Sequence, residues 1–176
     1  MRAMGPGSVS SFLKIILDVV YYALIVGLGG LALVTLGALL LSFNPELIKG
    51  INISGDAGEI TAKGPLLVAV LVYALLYVGA LLAIVGYLRR VFVTLTAGDP
   101  FHPDNIRRLR FVGFVLAGME IGRYAFQAVM TAIAPDADKS LDGVNFTTWF
   151  AVLVVFVLAE VFREGARLRR EAELTI

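Results

Sequence analysis

Long stretches without a charge alternate along this chain with short stretches crowded with charges. The uncharged runs extend from Val19 to Phe43, from Pro65 to Leu88, from Phe111 to Met119 and again from Tyr124 to Ala134, and from Gly143 to Ala159. None shows the strict two-residue alternation of a membrane barrel strand, so each run is read as helix. A hydrocarbon layer of about 30 Å is crossed by about 20 helical residues rising 1.5 Å each. Each run reaches that length once its less polar flanking turns are added. The pattern predicts helices over about 10–43, 65–97, 103–134 and 146–173, within a single transmembrane domain over 1–176. The expected fold is an all-α integral membrane protein with four transmembrane helices in a bundle. The first run is too long for a signal-peptide core and is followed by no A-x-A site, so it is expected to stay as the first helix.

Local chemistry sets the boundaries. The second helix can continue through Arg89 and Arg90 to Thr96, where Gly98 suits a left-handed C-terminal cap and Pro100 follows. The third restarts at Pro103, a favoured first helical residue, with His102 as N-cap and Asp104 and Asn105 in the first turn. Helices two, three and four are thus expected to extend beyond the bilayer on one side. On the other, residues 51–54 and 59–62 flank a Gly/Asp turn and read as a small β-hairpin between helices one and two.

Composition agrees with a lipid solvent: 59% of residues are apolar, only 16% are charged, and the mean hydropathy is +0.85. No cysteine is present, which excludes disulfides, thiol catalysis and cysteine-ligated metals. Basic residues fix an expected orientation. Arg2 and Lys14, the segment with Arg89, Arg90, Arg107, Arg108 and Arg110, and the tail with Arg163, Arg167, Arg169 and Arg170 hold eleven of them. The remaining two connections hold only Lys49, Lys63 and Lys139, amid Glu46, Asp56, Glu59, Asp136, Asp138 and Asp142. Both termini are therefore expected in the cytoplasm, with the β-hairpin outside.

Two places carry candidate chemistry. In the third helix, Glu120 and Arg123 interrupt an apolar run about 14 to 16 Å from either end, which places them near the bilayer midplane. Each costs about 2.5 to 3.5 kcal/mol at that depth, so the helix is expected to insert only with neighbours and with its charges turned inward. Glu120, Tyr124, Gln127 and Thr131 share one stripe that Arg123 borders, and Glu120 and Arg123 are spaced to pair. A structural ion couple, a proton or ion relay and a polar ligand pocket all fit this pattern. The second place is the tail from Glu160 to Glu173, a continuation of the fourth helix with ion pairs three and four residues apart. Its apolar residues need cover, expected from the hairpin of helices two and three. Phe162 and Leu168 would dock there while Arg107, Arg108 and Arg110 meet Glu160, Glu164, Glu171 or Glu173. On helix one, Ala23, Gly27, Gly30 and Gly37 form a small-residue stripe that allows close helix packing, and a homo-oligomer stays open.

Three stretches resemble a bacterial family of four-helix membrane proteins of unknown function. They are Gly5-Pro6-Gly7-Ser8 with Phe12-Leu13-Lys14 and Asp18; Gly98-Asp99-Pro100-Phe101 with Asn105 to Arg110; and Glu160 to Leu168 with Glu173-Leu174-Thr175-Ile176. The resemblance implies the bacterial cytoplasmic (inner) membrane. It also implies a regulatory pairing, because such genes often lie beside one for a small Cro-like helix-turn-helix regulator. Glu120 and Arg123 stand outside the shared blocks.

No nucleophile–base spacing, phosphate-binding glycine loop or metal motif is present, and the single His102 lies in a turn. No enzyme activity, metal or cofactor is expected. Direct nucleic-acid binding is not expected either, because the net charge is only +1 and no recognition motif accompanies it. Two functions remain. One is a regulatory or scaffold protein of the bilayer that offers Arg107, Arg108, Arg110, Glu160, Phe162, Arg163, Glu164, Arg167 and Leu168 to a cytoplasmic partner. The other is a small transporter or sensor working through Glu120, Arg123, Tyr124, Gln127 and Thr131.

Overall fold

The computed structural model describes residues 9–42, 52–53, 60–61, 64–133 and 145–174. Four helices dominate it: α1 (Val9–Ser42), α2 (Gly64–Thr96), α3 (Pro103–Ile133) and α4 (Phe146–Glu173). Their ends lie within one or two residues of the positions read from the apolar runs and caps. At 1.5 Å per residue they are about 42 to 51 Å long, more than a hydrocarbon layer requires. Two strands of two residues each, β1 (Asn52–Ile53) and β2 (Ile60–Thr61), pair antiparallel with Asn52 opposite Thr61. The turn of the expected hairpin, residues 54–59, lies outside the described residues, and so do the connection 134–144 and the last two residues of the chain.

Each helix runs antiparallel to the one before it. On α1 and α2, Ala38 packs with Leu67, and further along the ring of Tyr21 lies against Gly86. Beyond that the Arg89 Nε donates to Asp18 at 2.5 Å, with the guanidinium 4.4 Å above the Tyr21 ring. On α2 and α3, Tyr73 stacks on Phe126 at 4.1 Å, Tyr87 meets Phe111 at 4.4 Å, and Thr94 bonds Asn105. On α3 and α4, Gly113 lets the ring of Phe156 approach so closely that an added Cβ would lie 3.0 Å from it, and Leu109 meets Ala159.

These are the only close backbone approaches between helices among the described residues; α2 and α4 meet only through side chains, where Val91 and Leu95 share a buried cluster with Ala159 and Phe162. The four expected helices are present and are arranged as a row in chain order. The short α2–α3 turn and the facing registers fix neighbours in sequence as neighbours in space.

Such a row buries little. Phe12, Val19, Val26, Leu33 and Leu40, seven residues apart along α1, are all exposed, as are Phe114, Phe150, Leu153 and Val157 on α3 and α4. Water would not tolerate that much contiguous apolar surface, whereas lipid tails solvate it. Three helices, α1, α2 and α4, are long and apolar enough to cross a membrane by themselves. α3 is not among them, because Glu120, Arg123 and its polar first turns dilute the apolar run.

Candidate functional site

The turn that joins α2 to α3 is a sequence of specific demands met one residue at a time. Gly98 takes φ +85°, a left-handed conformation that a side chain resists. It allows the Gly98 N–H to donate to Leu95 O at 3.1 Å and the Asp99 N–H to Thr94 O at 3.1 Å, closing the end of α2 in a Schellman cap. His102 then caps α3, its Nδ1 accepting from the Asp104 N–H at 3.2 Å. Asn105 is wholly buried, and its amide donates to the Thr94 hydroxyl at 2.6 Å and to Pro100 O at 3.1 Å. Arg108 completes the knot, donating to Asn105 Oδ1 at 3.1 Å and to Arg90 O at 3.0 Å.

The far end of α4 closes over this turn. Phe101 lies against Gly165 so tightly that a Cβ there would be 2.3 Å from its ring, and it meets Phe162 edge to face at 5.9 Å. Phe162 in turn covers the buried cluster of Val91, Leu109 and Ala159. Arg169 donates to Asp99 at 2.6 Å while also holding Glu173 at 3.0 Å, and Arg110 reaches Glu160 at 3.6 Å. We call this assembly of turn and tail the head.

The expected docking of the tail on the hairpin is present, but its contacts differ from those predicted. Phe162 docks. Leu168 does not; it is 55% exposed on the outer face of α4. Only Arg110 of the three hairpin arginines reaches a tail carboxylate, because Arg108 is committed to the turn and Arg107 points outward without an ion pair among the described residues. Glu164 pairs with Arg167 at 2.5 Å and Arg163 pairs with Glu160, both within α4. Sequence reasoning missed Asp99–Arg169 and Phe101–Gly165. A glycine inside an otherwise charged, strongly helical tail was the available signal, since it costs about 1 kcal/mol relative to alanine there and a close approach is one reason to keep it.

The second cluster lies about ten residues, or 15 Å, further along α3 from Arg110. The Arg123 guanidinium grips Glu120 with two nitrogens, Nη2 to Oε1 at 2.7 Å and Nε to Oε2 at 3.4 Å, and sits 4.6 Å over the Tyr124 ring. Glu120 is only 4% exposed. The Tyr124 hydroxyl accepts from the backbone N–H of Asn145 at 3.3 Å. Asn145 is the N-cap of α4, and its side chain accepts from Thr148 N–H. Glu120, Arg123 and Tyr124 therefore gather at the N-terminus of α4, whose free N–H groups favour negative charge.

That placement refines the expected midplane stripe. Glu120 is buried and Arg123 partly buried on the side of α3 toward α4, but they meet the end of that helix rather than its flank. From Glu160 to Phe146 α4 rises only about 21 Å, so its N-terminus stops short of the far end of α2. Thr131 lies further along α3. The Thr131 hydroxyl turns back to Gln127 O at 3.0 Å and its residue is exposed. Chemically the cluster can hold a compensated pair of charges beside a helix dipole, and it can exchange one partner for another anion or proton only at a large cost.

Among known proteins, residues 51–176 match the family described as "Protein of unknown function (DUF2975)". No curated protein and no solved structure matches the chain.

Two predictions test this geometry. Gly165→Ala should destabilise the detergent-solubilised protein, because its Cβ collides with the Phe101 ring. Gly79→Ala, in an α2 position with open space around it, should be neutral or stabilising by up to about 1 kcal/mol through helix propensity. Thermal unfolding of both variants reads the difference, and equal effects would refute the Phe101 seat.

For the ion pair, Arg123→Leu alone should cost about 3 to 5 kcal/mol by orphaning the Glu120 carboxylate. The double change Glu120→Leu with Arg123→Leu should cost less, since no charge is left unpaired. Additive losses in the same assay would show that the two do not couple.

Proposed function

The chain belongs to DUF2975, a family of unknown function matched over residues 51–176, and from that premise we propose that it is a membrane-embedded regulatory or scaffold protein. On this reading its head, made of the α2–α3 turn and the end of α4, is offered in the cytoplasm to a soluble protein partner such as a small transcriptional regulator. The observation that carries it is the Asp99–Arg169 and Phe101–Gly165 seat. A lipid anchor needs only apolar length and flanking charge, whereas this turn and tail are shaped to each other. They leave an ordered outer face on α4 bearing Val161, Arg163, Glu164, Arg167 and Leu168, all exposed.

Orientation on this proposal follows the basic residues, which concentrate on the side of the head. α3 counts as a fourth span despite its charges. It runs antiparallel beside α2 from Thr94 to Tyr73 and beside α4 from Ala159 to Asn145, so it shares the depth of two helices that can cross unaided. Its carboxylate and guanidinium are mutually paired, which removes most of the penalty of that depth. Both termini are then cytoplasmic, and the β1–β2 pair lies on the far side, in the inner membrane of a bacterium. A second reading, a small transporter or sensor, is favoured by one observation, the buried Glu120 carboxylate held against the N-terminus of α4. Regulation and sensing are compatible if an event at that cluster shifts α3 and with it the head.

Topology is checked by the natural absence of cysteine. Single variants Ser54→Cys, Thr96→Cys, Ser140→Cys and Thr175→Cys are labelled in intact cells with an impermeant thiol reagent. The expected pattern is labelling at positions 54 and 140 only. Labelling at 54 and 175 would instead mean that α3 does not cross.

Partner capture tests the function. The protein is isolated from its native membrane in its original form and with Arg163→Glu, Arg167→Glu and Leu168→Glu, changes on the outer face that spare Phe101, Gly165 and the Asp99–Arg169 pair. A cytoplasmic protein retained by the original and lost from the variant is the expected result. Identical capture, with an unchanged phenotype of the gene, would rule out this face and turn attention to Glu120.

A further inference from the structure

One face of α3 changes character along its length. Arg107 and Arg110 stand one helical turn apart near its start, and Phe111 and Phe114 follow on the same face toward the bilayer. Arg163 of α4 comes in beside them. Together with Ile106 these side chains line an open groove of about 420 Å³ between α3 and α4. Its floor is firm, because Phe114 packs edge to face on Phe156 at 5.2 Å and Phe156 is itself lodged against Gly113.

We propose that this groove binds an anionic phospholipid, with its phosphate on Arg107, Arg110 and Arg163 and an acyl chain along Phe111 and Phe114. Charge complementarity selects the ligand. Three guanidiniums rim the groove, and among the described residues the one carboxylate paired with them, Glu160, is shared by Arg110 and Arg163. The rim therefore keeps an excess of positive charge, and Arg107 has no ion pair among the described residues to satisfy it. Guanidinium forks match phosphate oxygens in geometry as well as charge. A free phosphate would use the rim alone and leave Phe111 and Phe114, both exposed, uncovered. A lipid covers both halves, and the order of the halves, basic then aromatic, is the order in which a headgroup and its chain enter a bilayer.

The consequence is mechanical. A lipid seated here would tie α3 to α4 beside the Arg110–Glu160 pair, directly beneath the head. The head's geometry would then depend on the anionic content of the membrane. The inference rests on the membrane reading of α3 given above but not on the partner.

Native mass spectrometry of the detergent-solubilised full chain tests it, with phosphatidylglycerol, phosphatidylcholine and inorganic phosphate as separate probes. Phosphatidylglycerol should be retained in preference to phosphatidylcholine, and phosphate should neither bind nor compete. Arg107→Gln and Arg163→Gln should each weaken that retention about fivefold, whereas Glu160→Gln, which frees two guanidiniums, should strengthen it. Equal retention of the two lipids, competition by phosphate, or retention indifferent to both arginine variants would overturn the proposal. Because the measurement uses neither orientation nor a protein partner, its failure would leave the regulatory reading standing, and the reverse also holds.

Discussion

Holding a carboxylate and a guanidinium among apolar helices is the constraint on which the arrangement of α3 depends. Neither Glu120 nor Arg123 is easily left without its partner there, and the two-nitrogen grip between them is only part of the compensation. The rest comes from α4, which begins directly over the pair and supplies the positive end of its dipole and the Asn145 N–H beside Tyr124. The helix that carries this pair thus sits between two others, flanked by α2 and α4, while α1, apolar along its exposed stripe, stands at the edge of the row.

From that pair the register of the whole row can be followed outward. With the start of α4 set against Tyr124, antiparallel packing brings Phe156 to Gly113 and Ala159 to Leu109. It also delivers Gly165 to Phe101 and Arg169 to Asp99 about two and three turns beyond Ala159. The Glu120–Arg123 pair and the head therefore stand at two levels of one packed pair of helices, α3 and α4.

The head also clarifies what its motif residues do. Gly98, Asp99, Pro100 and Phe101 and the run from Glu160 to Gly165 read as two separate blocks in the chain, yet most of their side chains answer one another. Gly98 makes the turn, Asn105 locks it, Phe101 needs a glycine opposite, and Asp99 needs an arginine one turn beyond. Much of their specificity is thus spent on internal fit. What remains for an external partner is the outer face with Arg163, Arg167 and Leu168, and the groove with Arg107.

Sequence alone determined the solvent, the helices and their ends, because these depend on local quantities: uncharged length, period, and the capping preferences of Gly98, His102 and Pro103. It also located the Glu120–Arg123 pair, since three residues of helix bring those side chains together whatever surrounds them. Tertiary structure alone decided that the helices lie in a row, that Leu168 faces out while Gly165 faces in, and that the Glu120–Arg123 pair meets the end of α4 rather than its side. Each of these depends on the relative sliding and rotation of two helices. A displacement of one residue rotates a contact by about 100° around the helix, so periodicity within one helix cannot specify its register against another.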